Sequence, residues 1–195
     1  MFYQFAWYLC RAVLRYVRRW EVDGAANLPA AGGIVVTANH TSYWDPVVIG
    51  CAIYRRVYFM AKAELFRYPV LKQIIIALGT FPVRRDTVDR EAIRAALDHL
   101  SSGRVLGIFP EGTRSKGGEF LKPQYGAALL ALKGGVPILP VALSGTKGVF
   151  GKVRVRIGTP MQFPDYAGVR PTKEVLEEVS NLIMKEISTL QRSER

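Results

Sequence analysis

His40 and His99 are the only histidines in the chain, so the search for a general base that titrates near neutral pH is short. His99 sits in Leu97-Asp98-His99-Leu100, near the end of a predicted helix, where a solvated or helix-capping role fits. His40 lies in Asn39-His40-Thr41-Ser42-Tyr43-Trp44-Asp45, directly after the apolar run Ile34-Val35-Val36. Parallel sheets deliver functional groups at such strand ends. In a regular helix His40 and Asp45 would face different sides, so contact between them requires the chain to turn, which the polar Asn-His-Thr-Ser stretch permits. Two roles fit Asp45. Followed by Pro46, it has the pattern of a helix N-cap with proline at the first helical position. It is equally suited to accept a hydrogen bond from one imidazole nitrogen, leaving the other free to take a proton. Spacing alone does not choose between the two.

A second constellation, Phe109-Pro110-Glu111-Gly112-Thr113-Arg114-Ser115, also follows an apolar run. Its Gly107-to-Gly112 spacing imitates a phosphate-cradling nucleotide loop, but Thr113-Arg114 stands where that loop needs Lys followed by Ser or Thr, so the nucleotide reading fails. What remains is a glycine-opened turn presenting Glu111, Thr113 and Arg114, the arginine being suited to bidentate phosphate recognition. Arg84 and Arg85 leave a third apolar run, and Lys62 a fourth. These cations suit one dianion if they converge, although paired surface charges on loops are the ordinary outcome. Ser144 lacks the glycine spacing of a nucleophile elbow, which excludes a serine hydrolase. No metal site is expected either, since the histidines are far apart and the cysteines unclustered. Cys10 and Cys51 occupy unlike contexts, read as reduced and non-catalytic in a cytoplasmic setting.

The elements that must position these groups follow from hydrophobic patterning. Short β-branched or apolar runs at 33–38, 57–61, 79–83, 105–109, 138–143 and 153–157 read as buried strands. Helical patterns fill 86–100 and 123–133, the latter stopping at Gly134-Gly135, and the stretch from Thr172 carries one apolar stripe from Val175 to Leu190. Strands and helices alternating at these lengths predict an α/β fold, a single domain with a largely parallel central sheet flanked by helices. The 195 residues suffice for one core. The net charge of +11 implies an anionic partner: nucleic acid, an acidic membrane surface or a phosphorylated substrate.

Residues 1–20 are rich in aromatic and aliphatic side chains, but Arg11, Arg15, Arg18 and Arg19 interrupt them well short of a membrane span. The charges follow the apolar stretch instead of preceding it, unlike a signal peptide. On a helical wheel Arg11, Arg15 and Arg18 share a face with Gln4, while Phe5, Trp7, Leu9, Val13, Leu14 and Val17 cover much of the rest. The pattern is that of an amphipathic helix lying in the headgroups of an anionic leaflet, or of a helix that caps the core.

The blocks around His40, Arg84, Glu111 and Pro140, in this order and spacing, resemble the signature of the glycerolipid acyltransferases, most closely the 1-acylglycerol-3-phosphate acyltransferases. The resemblance covers residues 33–145. Asn39-His40 through Asp45 matches the family's His-x4-Asp block, and Phe109 to Arg114 its second diagnostic block; 79–85 and 136–140 match two looser ones. The resemblance implies a glycerol-3-phosphate acyltransferase-like fold, with residues 1–20 as an interfacial helix and 21–195 as the acyltransferase domain. It implies that His40 is the base and that Asp45 orients it. Glu111 and Gly112, with Thr113, would place the acceptor's glycerol portion, and Arg84, Arg85, Arg114 and Lys62 its phosphate.

The implied reaction moves a fatty acyl group from acyl-coenzyme A or an acyl carrier protein to a lysophospholipid hydroxyl. It needs no cofactor beyond that co-substrate. One base suffices, because the departing thiol, with a pKa of about 8.5, leaves without a strong acid behind it. The oxyanion donors are not identifiable in the sequence; the backbone amides at the helix start near Asp45 are candidates. The implied location is the cytoplasmic face of the cell membrane, peripheral or monotopic. A nucleic-acid partner is not expected, since no binding motif accompanies the charge. A catalytically silent membrane-binding scaffold fits poorly with intact His40, Asp45, Glu111 and Arg114.

Overall fold

The computed structural model describes residues 2–84, 89–166 and 170–193. Among these, seven strands form one sheet: β1 (Glu21–Asp23), β2 (Ile34–Ala38), β3 (Val57–Lys62), β4 (Thr80–Val83), β5 (Val105–Ile108), β6 (Ile138–Ser144) and β7 (Arg154–Ile157). Their order is β1-β7-β6-β2-β5-β3-β4. Every neighbouring pair is parallel except β6 with β7. The architecture is the expected α/β fold.

Strand β2 is central, pairing Val36 with Gly107 of β5 on one side and with Leu139 of β6 on the other. All five of its residues are buried, as a parallel strand covered on both faces must be. Its period-two alternation sends Ile34, Val36 and Ala38 to one core cluster and Val35 to the other. The first core is closed by helices α1 (Phe2–Tyr16) and α2 (Asp45–Ala52). On the opposite face lie α4 (Arg90–Ser101), α5 (Gly126–Gly134) and α6 (Lys173–Arg192), whose stripe buries Val179, Ile183 and Ile187. Helix α6 starts as its sequence suggests, with Thr172 Oγ1 accepting from Val175 N.

Other boundaries differ from the patterning. The helix expected over 123–133 begins at Gly126, because Gln124 N donates to Pro110 O at 2.7 Å and ties the preceding turn to the 109–115 loop. The helix expected from 86 begins at Arg90, capped by Asp89 on Ala92 N; positions 86–88 lie outside the described residues. Strand β1 and helix α3 (Pro69–Ala77) have no counterpart in the patterning. Helix α3 buries none of its residues and exposes Val70, Ile74 and Ile76, so it carries no polar stripe to reveal its period.

Helix α1 corrects the wheel drawn from sequence. Arg11 and Arg18 do not face outward with Arg15. Arg11 donates to Cys51 O at 2.6 Å and lies over the rings of Trp7 and Trp20, while Trp7 Nε1 donates to Gly50 O at 2.9 Å. Gly50 and Cys51 form the last turn of α2, whose carbonyls have no partner within that helix. Arg18, 1% exposed, takes the carbonyls of Gly145, Gly148 and Gly151. The outward side instead carries Phe2, Phe5, Tyr8, Leu9 and Tyr16. No described helix is long and apolar enough to cross a membrane. The two cysteines, unrelated by sequence context, interact across α1 and α2: the Cys51 thiol draws the Cys10 thiol down, while Cys10 and burial push the Cys51 thiol up.

Candidate active site

Strands β2, β5 and β6 run parallel, so residues 39–45, 109–115 and 144–146 leave the sheet at the same end. Asn39 extends the β2–β6 ladder by one rung with its side chain. Its Nδ2 donates to Leu143 O at 2.9 Å and its Oδ1 accepts from Leu143 N at 2.8 Å. The next residue, His40, leaves from a fixed point.

Four separate contacts then hold His40. Its main-chain N–H donates to Glu111 Oε1 at 2.7 Å, and its carbonyl accepts from Ser115 N at 2.8 Å. Its ring stacks on Phe109, centroids 3.9 Å apart and planes 16° from parallel. Phe109 in turn stacks on Phe59 at 6.1 Å. A side chain at position 107 would collide with the Phe59 ring at 2.3 Å, which is why a glycine stands there. The Gly107-to-Gly112 spacing that resembles a nucleotide loop thus has a packing cause at its first glycine. At its second, a backbone φ of +68° turns the chain, and Gly112 N donates to Phe109 O.

The fourth contact is the imidazole Nδ1 to Asp45 Oδ2, 2.8 Å. Asp45 is wholly buried, and the same oxygen accepts from Thr41 N and Ser42 N, each at 2.7 Å. This decides between the two roles open in the sequence. Asp45 is the first residue of α2, after Trp44 as N-cap, and its carboxylate turns back toward residues 40–42 instead of capping the helix. Because a carboxylate only accepts, Nδ1 carries the proton and Nε2 presents its lone pair. Among the described residues nothing hydrogen-bonds Nε2. The Thr41 and Ser42 amides, with those of Trp44 and Asp45, are already bonded. The oxyanion donors sought near Asp45 are therefore not among these four.

His40 opens onto a cavity of about 470 Å³, walled by Met60, Val83 and Ala127 on its apolar side and by Arg84, Thr113 and Gln124 elsewhere. Glu111 and Gly112 also line it. Glu111 is 4% exposed, with Oε1 on His40 N and Oε2 accepting from Leu121 N at 3.0 Å. In this structure its carboxylate braces the histidine loop, a contact the sequence did not suggest. Of the four cations, Arg84 reaches the cavity, held loosely by Asp89 at 3.4 Å and Glu91 at 3.6 Å. Arg114 lies 3.5 Å above the ring of Tyr43, outside the cavity lining. Lys62 is also outside it, half-exposed and paired with Glu64 at 2.9 Å. Among the described residues the expected convergence is reduced to one lining cation, Arg84. Arg85 lies outside the described residues. Sequence reasoning passed over Phe109 and Asn39 as individual contributors, since a stacking face and an added rung leave no pattern in one chain.

His99 is half-exposed in the last turn of α4, in keeping with its sequence position. Its ring packs against Tyr58 and Phe81 at 4.5 and 5.2 Å, and Arg104 lies 2.9 Å from Nδ1. Burial and the Arg104 charge lower its pKa. It has no part in the site.

A histidine bonded to a buried aspartate at the C-terminal edge of a doubly covered sheet, facing a cavity, is an arrangement suited to acid–base chemistry, and comparison with known proteins gives the class, a transferase. The Acyltransferase family model matches residues 19–144, and the chain belongs to that family. It is similar to the 1-acyl-sn-glycerol-3-phosphate acyltransferase of Bacillus subtilis, 31% identical over 88% of this chain and 87% of that protein. The protein of the same name from Borreliella burgdorferi is 34% identical over 67% of this chain and 53% of its own length. The crystal structure of the 1-acyl-sn-glycerophosphate acyltransferase PlsC of Thermotoga maritima superposes with a TM-score of 0.70 at 27% identity, covering 95% of this chain and 81% of that one.

Proposed function

We propose that the enzyme transfers a fatty acyl group from an acyl thioester to the sn-2 hydroxyl of 1-acylglycerol-3-phosphate, giving phosphatidic acid for phospholipid synthesis. The observation that carries this reading is the Nδ1–Asp45 bond of 2.8 Å, which leaves Nε2 facing the cavity. The names of the relatives support the acceptor.

The acceptor hydroxyl gives its proton to Nε2 as its oxygen attacks the thioester carbonyl. Imidazole, with an unperturbed pKa of ~6.5, cannot ionise an alcohol outright, so proton loss and attack are concerted. Collapse of the tetrahedral adduct expels the thiolate, which recovers the proton from the imidazolium. Asp45 holds the tautomer and stabilises that imidazolium. Arg84, helped by Arg114, Arg85 and Lys62, binds the acceptor phosphate, with Thr113 and Gly112 beside the glycerol, while the apolar wall receives hydrocarbon. The donor is acyl-coenzyme A or an acyl carrier protein, and the reaction uses no cofactor besides it. The enzyme works as a peripheral or monotopic protein on the cytoplasmic face of an anionic membrane.

A thiol-release assay tests this. Either donor is offered with lysophosphatidate, glycerol-3-phosphate or an uncharged-headgroup lysolipid. Wild type should prefer lysophosphatidate, and His40→Ala should abolish release while melting like wild type. Turnover by H40A at the wild-type rate would refute the base assignment; equal rates with the uncharged acceptor would refute the phosphate clamp.

A further inference from the structure

The turn between β6 and β7 is held unusually firmly for a loop that ends in two exposed apolar residues. Val149 is 63% and Phe150 80% exposed, the latter the most exposed large apolar side chain among the described residues. Beneath them Arg18 donates to the carbonyls of Gly145, Gly148 and Gly151 at 2.6, 3.0 and 3.1 Å. Burying a guanidinium is costly unless its donors are met, and here the loop itself meets them. Thr146, 1% exposed, touches Thr41 of the histidine loop, hydroxyl to hydroxyl, at 3.3 Å. Lys147 Nζ bonds Lys116 O at 2.8 Å, linking the turn to the loop that follows Arg114. The turn is therefore fastened to both loops of the site, and among the described residues its apolar tip stays largely exposed.

We propose that Val149 and Phe150 form a wedge that inserts into an anionic lipid bilayer and, with the outward side of α1, sets the mouth of the cavity against the lipid surface. Three features select a bilayer as the occupant. The apolar pair follows Lys147 by two residues, on a chain of net charge +11, which suits an anionic surface. Arg18 joins the wedge to the end of α1, where Tyr16 and Val17 are exposed and the line continues back through Leu9, Tyr8, Phe5 and Phe2. The turn thus adds its exposed apolar pair to an aromatic and apolar side of α1 that is also exposed. The wedge also sits one hydroxyl contact from the loop that carries the base, where an acceptor drawn from a membrane has to arrive. This last point rests on the acyl-transfer reading; the wedge itself does not.

The test uses the full chain carrying Val149→Ser and Phe150→Ser, with vesicles of phosphatidylglycerol and phosphatidylethanolamine. Co-sedimentation should show affinity for vesicles reduced by about tenfold or more, the scale expected when an aromatic and an aliphatic side chain no longer leave water. Thermal melting should match wild type, and so should thiol release with a short-chain lysophosphatidate dispersed as monomers. Should the double variant misfold, Phe150→Trp gives an independent readout: its added fluorescence should shift to the blue with vesicles, relative to wild type. Unchanged vesicle affinity in the serine variant, or an unshifted tryptophan, overturns the proposal. So does a loss confined to reactions fed by an acyl carrier protein, which would make the wedge a protein-docking site. Failure of the acyl-transfer reading is separable, since it would show as full turnover by H40A with vesicle binding untouched.

Discussion

The histidine loop and the cationic side chains around it are built on opposite plans. His40 is held by its amide, its carbonyl, its ring face and its Nδ1, with partners from one other loop and a helix. Arg84, Arg114 and Lys62 project with much of their surface in water, paired only with carboxylates nearby in sequence or with one ring. A base must meet one proton within tenths of an ångström, and preorganisation serves it. A phosphate is larger, carries its charge on several oxygens and is reached by flexible arms. On the proposed reading, the enzyme fixes the atom that does chemistry and leaves exposed the groups that collect the substrate.

This contrast can be broken by substitution, and the largest effect should come from the aspartate. In Asp45→Asn the side chain keeps its shape but no longer only accepts, so the Nδ1 tautomer is lost. We expect kcat to fall by about 10² to 10⁴, the range of general-base assistance, with acceptor KM little changed. Glu111→Ala comes next. It strips acceptors from two buried amides, which should cost about 1–3 kcal/mol in denaturant melts and lower kcat through a looser His40. Wild-type stability in that variant would show that the brace is incidental.

Arg84→Ala should leave the melt unchanged and raise acceptor KM by about tenfold, a charge-assisted contact discounted for its exposure. Its kcat should stay near wild type. A fall in kcat with KM constant would place Arg84 with the rigid group and break the division. The smallest effect is expected for Arg114→Ala, where an exposed cation–π contact is lost and acceptor KM should rise by about two- to fivefold. A loss as large as that of Arg84→Ala would make Arg114 an equal, not an auxiliary, partner in the phosphate site when substrate is bound.

The two regions also differed in how readable they were. His40, Asp45 and the Glu111 turn stand out because strand ends are visible as apolar runs stopping at polar residues, and few residue types can act as a base. What each atom touches was not visible. Asp45 before Pro46 has every local mark of a cap, and only the path of residues 40–44 turns its carboxylate to the imidazole. Glu111 looked like a substrate ligand because its two partners, the amides of His40 and Leu121, are backbone groups that leave no trace in side-chain pattern. Arg11 and Arg18 looked like surface charge for the same reason, since their acceptors are carbonyls 40 residues and more away along the chain. Helix α6, whose period is set by its own burial, was legible almost to its first residue.

Helix α2 has eight residues, about 12 Å of rise, and is too short to persist without outside support. Its first residue bears the carboxylate beneath the imidazole; its last turn hangs from Trp7 and Arg11. The N-terminal helix is accordingly a splint for the His40–Asp45 pair as well as, on the proposed reading, a foot on the membrane. A chain trimmed of its first sixteen residues to improve solubility would keep the sheet, yet its acid–base pair would drift out of line, and such a fragment would read as a folded but idle enzyme.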